Sequence, residues 1–390
     1  MAHMYNDPVG GKQSTIGPQI NTHYYERKAL IEARKEAYFG QLADVFSMPK
    51  NMGKTIKKFH YIPLLDDANI NDQGIDATGA TIKNGNLYGS SKDIGTIPDK
   101  LPLVGEAGGR VNRVGFSRVM LEGTFEKFGF FTEYSAESMH FDSDAELLEH
   151  INREAINGAM EITEDALQID LLTQGKTIAY PGAATKKADM THKDQITYQD
   201  LRRVSITLDN NRTPKKTTVI TGTRNVDTKT IPSARVLYIG SELIPLVEGM
   251  KDVHGNPAFT PIEKYAAGTT TLNGEIGALY QFRIVVVPEM MKWAGAGAAV
   301  SAGGEGFHAT DGKYDVFPML VVGDESFTTI GFQSDGKNQK FKIIHKAPGE
   351  AIADRSDPYG ETGFISIKWW YGFMLLRGER IAVIHTTAPL

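Results

Sequence analysis

Residues 143–175, SDAELLEHINREAINGAMEITEDALQIDLLTQG, carry the clearest local signal in the chain. Ser143 and Glu146 have the spacing of a capping box, in which a hydroxyl and a carboxylate satisfy the first free amides of a helix. Leu148, Ile151, Ala155, Ala159, Ile162, Ala166 and Ile169 then recur as one helical stripe, and Gly175 closes the run. The spacing predicts a helix over 144–174, ~46 Å long at about 1.5 Å per residue. Helices in ordinary domains average ~12 residues, so this one reads as a beam on which other elements are mounted.

Upstream, Arg118–Tyr134 holds Val119, Leu121, Phe125, Phe128, Phe130 and Phe131 with few breakers, which predicts a strand in a well-buried sheet. Lys54–Leu65, with Ile56, Phe59, Tyr61 and Ile62, predicts another. Between them, 66–113 is rich in Gly, Asn and Asp and has little to bury. Connections in compact domains usually stay under ~15 residues, so this segment is expected to project as a hairpin that gains its contacts from outside its own domain. Tyr24–Phe46 places Ala29, Leu30, Ala33, Ala37, Phe39, Leu42 and Phe46 at helical spacing before Pro49, which predicts an amphipathic helix. The Gly-, Pro- and Asn-rich residues before it suggest an extended arm.

Downstream, Thr197 and Asp200 open a second helix carrying Leu201, Val204 and Leu208, stopped by Pro214. Strand-like 236–239, helix-like 242–250 and strand-like 282–287 and 319–322 make this an α+β region. The Ala- and Gly-rich stretch 294–306 predicts a flexible loop. Near the end, Ile365–Leu376 and Arg380–Ile384 predict two strands around a turn at Gly378. Phe125, Phe128, Trp369 and Trp370 are the expected aromatic core of one domain.

The composition excludes several classes of function. The 390 residues are 41% hydrophobic, enough for a folded protein, and carry 47 acidic against 42 basic residues. A net charge of -5 argues against a dedicated nucleic-acid binder, leaving Lys54–Lys58 and Lys186–Lys193 as local basic stretches. With no cysteine there can be no disulfide, thiolate metal site or cysteine nucleophile. Met1–Pro18 lacks the pattern of a secretory signal, and no apolar run reaches the ~20 residues of a membrane span, so a cytosolic protein is expected.

Motifs for chemistry fail at specific positions. Gly10, Gly11 and Lys12 are followed by Gln13, where a phosphate loop needs Ser or Thr. Asp67, Asn69 and Asn71 alternate as in a calcium loop, but Asp72 replaces the glycine and Thr78 the bidentate glutamate. His140 and His150 have no zinc-pair spacing, 294–306 lacks the lysine of a phosphate cradle, and no GxSxG elbow occurs. No catalytic, cofactor-binding or metal-ligating residue is assigned, and no cofactor is expected.

The run Asp357, Pro358, Tyr359, Gly360, Glu361, Thr362, Gly363, followed by Lys368, Trp369, Trp370, Tyr371, Gly372 and by Arg380–Ile384, resembles the closing segment of major capsid proteins from Enquatrovirus-type tailed phages. Glu32, Ala33, Glu36, Tyr38 and Phe39, the strand Gly123–Tyr134, and Ile196, Thr197, Tyr198, Asp200 and Leu201 agree in order and spacing. The resemblance implies an α+β fold of the HK97 capsid type. Its parts would be an N-terminal arm and helix (1–50), a peripheral domain with a spine helix (51–65, 114–176 and 345–390), an extended loop (66–113) and an axial domain (177–344). It further implies a non-enzymatic subunit that self-assembles into pentamers and hexamers of an icosahedral head around double-stranded DNA, in the virion and, during assembly, in the host cytoplasm. Scaffolding, portal and decoration proteins and weak, non-specific DNA contact are the implied partners, with no membrane. An encapsulin-like compartment, a hydrolase with a dispersed site and an adhesin or tail component are the alternatives.

Overall fold

The computed structural model describes residues 38–42, 44–48, 53–61, 106, 118–137, 147–220, 228–231, 234–265, 271–332, 341–349, 353 and 357–390. The chain divides into two compact units, residues 55–123 and the remainder.

In the larger unit, β16 (Thr362–Leu375) lies between residues 124–135 of β3 (Arg118–Ser135) and β14 (Phe327–Phe332), and β14 in turn pairs in parallel with β1 (Asp44–Met48). β15 (Phe341–Lys346) pairs with the first part of β16. The longest pairing runs antiparallel from Thr362 opposite Ser135 to Phe373 opposite Thr124. Through Tyr371, buried residues alternate along β16, as expected where one sheet face is covered and the other is not.

A second sheet has the order β4 (Thr177–Ala179), β17 (Ile381–Thr386), β13 (Phe317–Val322), β7 (Arg235–Gly240), β10 (Phe282–Val287), β9 (Glu275–Leu279) and β8 (Phe259–Pro261). Every residue of β7, β13 and β17 is buried. Their nearly continuous apolar runs follow from cover on both faces. One face shares a core with α1 (Leu147–Gln174), through Ala155, Ala159, Leu167 and Leu171. The other packs on α2 (Tyr198–Asn210) and the short α3 (Ile244–Glu248). Two small hairpins, β5 (Thr217–Ile220) with β6 (Thr228–Ile231) and β11 (Ala309–Thr310) with β12 (Lys313–Tyr314), complete the described strands. In the smaller unit, β2 (Thr55–Tyr61) lies beside β3, with Lys57 2.8 Å from Glu122 and Arg118 over the Phe59 ring.

The α+β class, the strands around 236–239, 282–287 and 319–322, and α2 with its Thr197–Asp200 capping box agree with expectation. Other readings need correction. Gly40–Leu42 is a short 3-10 turn and Asp44–Met48 a strand, so the amphipathic helix does not extend to Phe46; its residues 24–37 lie outside the described residues, as do the Ser143–Glu146 box and all of 66–113 except Glu106. On α1, Ile162 and Ile169 are 47% and 48% exposed. The helix instead buries the i, i+4 series that passes through Ala155, Ala159, Leu167 and Leu171, because those residues look toward both sheets. β3 is covered on one face only, leaving Phe131 on the other face 65% exposed, while Phe128, opposite the buried Trp369 on the covered face, is 37% exposed.

The two closing strands do not form a hairpin. β16 joins the first sheet and β17 the second, while β1 and β14 join the first sheet although the expected boundaries placed them in the arm and the axial domain. Sheet membership depends on long-range pairing, which strand propensity does not encode. Nor is 294–306 a free loop: Gly297 and Ala298 donate to the carbonyls of Tyr314 and Met190, and Val300 to that of Gly312.

Arg235 begins β7 with its side chain fully buried. It pairs with Asp209 and donates to the carbonyl of Thr213 and the hydroxyl of Ser205. Burial alone would raise the Asp209 pKa, but the hydrogen bonds and charges of Arg235 and Lys215 hold it below the ordinary carboxylate range. Arg235→Ala strands these acceptors and is expected to cost about 3 kcal/mol, read as a lower urea midpoint for the soluble subunit. Lys215→Ala, at an exposed partner, is expected to change stability little.

Candidate assembly surfaces

Residues 38–42 are held on α1 by one buried carboxylate. Glu164 accepts the Phe39 amide at 2.9 Å, and its two oxygens share the Gly40 amide at 3.1 and 3.2 Å. Tyr238 on β7 donates to the Tyr38 carbonyl at 2.9 Å, and Gln41 accepts the Asn273 amide at 3.1 Å. The Phe39 ring lies 4.6 Å from that of Tyr238. Burial, and then the Glu164 charge, push the Tyr238 hydroxyl well above its ordinary pKa, so it remains a donor. Gly274, at φ +71°, passes so close to Tyr38 that a Cβ would lie 2.5 Å from the ring. Residues 38–42 are therefore held at a fixed point on α1 and the second sheet.

α1 is also keyed to β16. Tyr371 donates to Asp170 at 2.8 Å. Burial raises the Asp170 pKa and this hydrogen bond partly offsets the rise; burial, then the Asp170 charge, raise that of Tyr371. The motif Asp357–Gly363 forms the turn into β16. Asp357 accepts the Thr362 amide at 2.9 Å and its hydroxyl at 2.6 Å, and Gly360 takes φ +65°. Among the four expected core aromatics, Phe125 and Trp369 are each 3% exposed. Trp370 is half-buried with its ring 5.2 Å from Phe125, whereas Phe128 is exposed at the sheet margin.

The basic stretches are partly neutralised within the chain. Lys57 pairs with Glu122, Lys186 lies 3.7 Å from Asp189, and Lys187 sits 3.5 Å above the Trp293 ring. Beneath that lysine, the buried His385 ring lies 4.8 Å from Tyr180 and 4.7 Å from Trp293. Burial, then the Lys187 charge, lower the His385 pKa to about 4.

The described cluster of His192, Ser301 and Tyr314 lacks the geometry of a catalytic triad. Ser301 Oγ lies 3.4 Å from His192 Nδ1, but that nitrogen also faces Tyr314 Oη at 3.2 Å, and no described carboxylate hydrogen-bonds His192 to orient it as a base. The cluster organises the glycine-rich loop, where a Cβ on Gly304 would collide with Tyr314. Among the described residues, no three His, Asp or Glu side chains are grouped to hold a metal. His150 lies in α1, and His140 falls outside the described residues. Apolar side chains are exposed instead, among them Phe131, Ile162, Ile169, Ile178 and Ile206. Such surface suits contact with other protein.

A long helix sharing its core with two sheets agrees with the HK97-type capsid fold that the resemblance implies. The fold matches the capsid of Ralstonia phage GP4 with a TM-score of 0.54 at 9% identity, covering 97% of this chain and 99% of that one. The Cyanophage Pam1 capsid matches at 0.52 and 10% identity over 93% and 96%, and the head of Helicobacter pylori bacteriophage KHP40 at 0.51 and 8% over 95% and 94%. The chain belongs to the phage capsid protein family, whose model matches residues 120–385. It is 63% identical over 386 residues to the major capsid protein of Pseudomonas phage KPP21, covering 99% of this chain and 97% of that protein.

Of the residues that position these surfaces, Glu164, Asp170 and Tyr238 were not singled out in the sequence, and Tyr371 entered only as part of the closing run. The available signal was an acid recurring on the buried side of an apolar helix. Glu164→Ala is expected to leave the Phe39 and Gly40 amides unpaired, at a cost of about 2 kcal/mol, and to speed their hydrogen exchange more than tenfold. Glu164→Gln, which keeps one acceptor, is expected to have a smaller effect.

A second expectation concerns acid. His385 has a folded pKa below its unfolded value, so it favours folding fully above about pH 6.5 and loses that contribution as pH falls toward about 4. His385→Phe keeps the ring stacking and removes the titration. A flatter dependence of subunit stability on pH across that window is expected, measured by urea unfolding at a series of pH values.

Proposed function

We propose that this protein is the major capsid protein of a tailed phage, a structural subunit that assembles into the pentamers and hexamers of an icosahedral head enclosing double-stranded DNA. The observation that carries the proposal is 63% identity, along nearly the whole of both chains, to the major capsid protein of Pseudomonas phage KPP21. Function then lies in association: many modest interfaces sum to a stable shell.

The peripheral domain is built on the first sheet and α1, and the axial domain on the second sheet. Sheet membership supports moving β1 and β14 into the peripheral domain and β17 into the axial domain. Residues 66–113 act as the extended loop to a neighbouring subunit, and the residues before the Glu164 anchor act as the arm. Scaffolding, portal and decoration proteins join the shell during assembly in the host cytoplasm, and the finished protein resides in the virion. The near-balanced charge supports weak, sequence-independent contact with the packaged DNA.

Purified subunit is expected to form closed shells, rings or tubes far above 42.8 kDa, seen by light scattering and negative-stain microscopy. A chain lacking residues 70–108 is expected to fold with a normal circular dichroism spectrum but to form no shells. Normal shells from that deletion would remove the loop from the mechanism.

A further inference from the structure

The chain enters β9 through Leu272, Asn273, Gly274 and Glu275. Asparagine followed by glycine is the pair in which a backbone amide most readily attacks the side chain before it, because glycine has no Cβ to obstruct the approach. The sequence holds three such pairs. Asn84–Gly85 lies outside the described residues, and Asn157–Gly158 sits within α1, where the helical ladder holds the glycine amide. Asn273, by contrast, is exposed in a turn.

That turn is held by neighbouring segments. Glu275 donates to the Leu272 carbonyl at 3.2 Å, and Gly274 takes φ +71° between them. The Asn273 amide donates to Gln41 Oε1 at 3.1 Å, and the Gly274 carbonyl accepts the Val286 amide at 2.9 Å. Gly274 also lies against the Tyr38 ring: a Cβ would stand 2.5 Å from that ring and 2.9 Å from the Val286 carbonyl oxygen. Ring closure needs the Asn273–Gly274 peptide to rotate toward the Asn273 side chain, and the rotation displaces Gly274 from this fit. Tyr38 and Gln41 belong to the segment that Glu164 anchors.

We propose that Asn273 is a site of spontaneous deamidation that the seating of residues 38–42 holds closed. When the segment lifts, the Gly274 amide nitrogen attacks Asn273 Cγ and the Cγ–Nδ2 bond breaks. The proton lost from the amide leaves with Nδ2 as ammonia. Water then opens the cyclic imide at either carbonyl, giving aspartate or isoaspartate. Isoaspartate adds a methylene to the main chain, so the Leu272–Glu275 hydrogen bond cannot re-form in register. Either product places a carboxylate two residues from buried Glu275, whose oxygens already serve Leu272, Tyr265 and Arg283. A transient release of the segment thereby becomes permanent.

The test is peptide mass spectrometry of the full-length chain after incubation at mildly alkaline pH, resolving asparagine, aspartate and isoaspartate. In the folded chain Asn273 is expected to convert about tenfold or more slowly than in the same chain unfolded in urea. Gln41→Ala and Glu164→Ala are each expected to recover much of that difference while Asn157 stays intact. Equal rates in the folded and unfolded chain, or no conversion of Asn273 in urea, overturn the proposal. So does folded Gln41→Ala protein that converts Asn273 no faster than the unaltered chain. If Asn157 converts in step with Asn273 in both variants, the opening is global rather than at this segment, and the proposal fails.

Discussion

One side of α1 lies in a core shared with both sheets, and the rest of the body is arranged around that burial. Apolar contact alone would let a long helix slide or rotate at modest cost, because it has no direction. The polar groups on the same side supply the direction. Glu164 is satisfied by two particular backbone amides and Asp170 by one particular hydroxyl. A buried carboxylate deprived of its partner costs more than the hydrogen bond contributes. Each pair therefore acts as a register pin, one setting the start of the described chain on the helix and the other setting β16.

What was legible in the sequence followed from locality. The Thr197–Asp200 capping box is a contact between residues three apart, and it appears in the structure as read. The runs that became β7, β10 and β13 are apolar because both of their faces are covered, so they stood out without any knowledge of neighbours. The existence of α1 was equally plain, but its buried side was not. Isoleucines at 162 and 169 are as apolar as the leucines at 167 and 171, and periodicity alone cannot tell a core face from a face reserved for another molecule.

Pairing was out of reach for the same reason. Asp44–Met48 became a strand through parallel pairing with β14, more than 270 residues away in sequence, against a local pattern that suited a helix. β16 and β17 were recognised as strands, yet nothing near Gly378 announces that the chain changes sheets there. A group of lysines on the first sheet was hidden too. Lys127, Lys342 and Lys368 come from three strands and form a group only once the register is known.

The change of sheet at the end of the chain has a mechanical consequence. Only a short turn separates β16 from β17, and it is tied at several points: Leu376 and Arg377 donate to the Ser326 carbonyl, Lys176 donates to that of Gly378, and Arg380 donates to that of Asp324. With α1 buried against both sheets and this turn linking them, the sheets cannot separate without breaking a packed core and a hydrogen-bonded corner together. Close-packed interiors resist such graded deformation. The larger unit is therefore a firm body in itself. What gives more readily is its surface, where Phe131, Ile162, Ile169 and Ile206 are exposed.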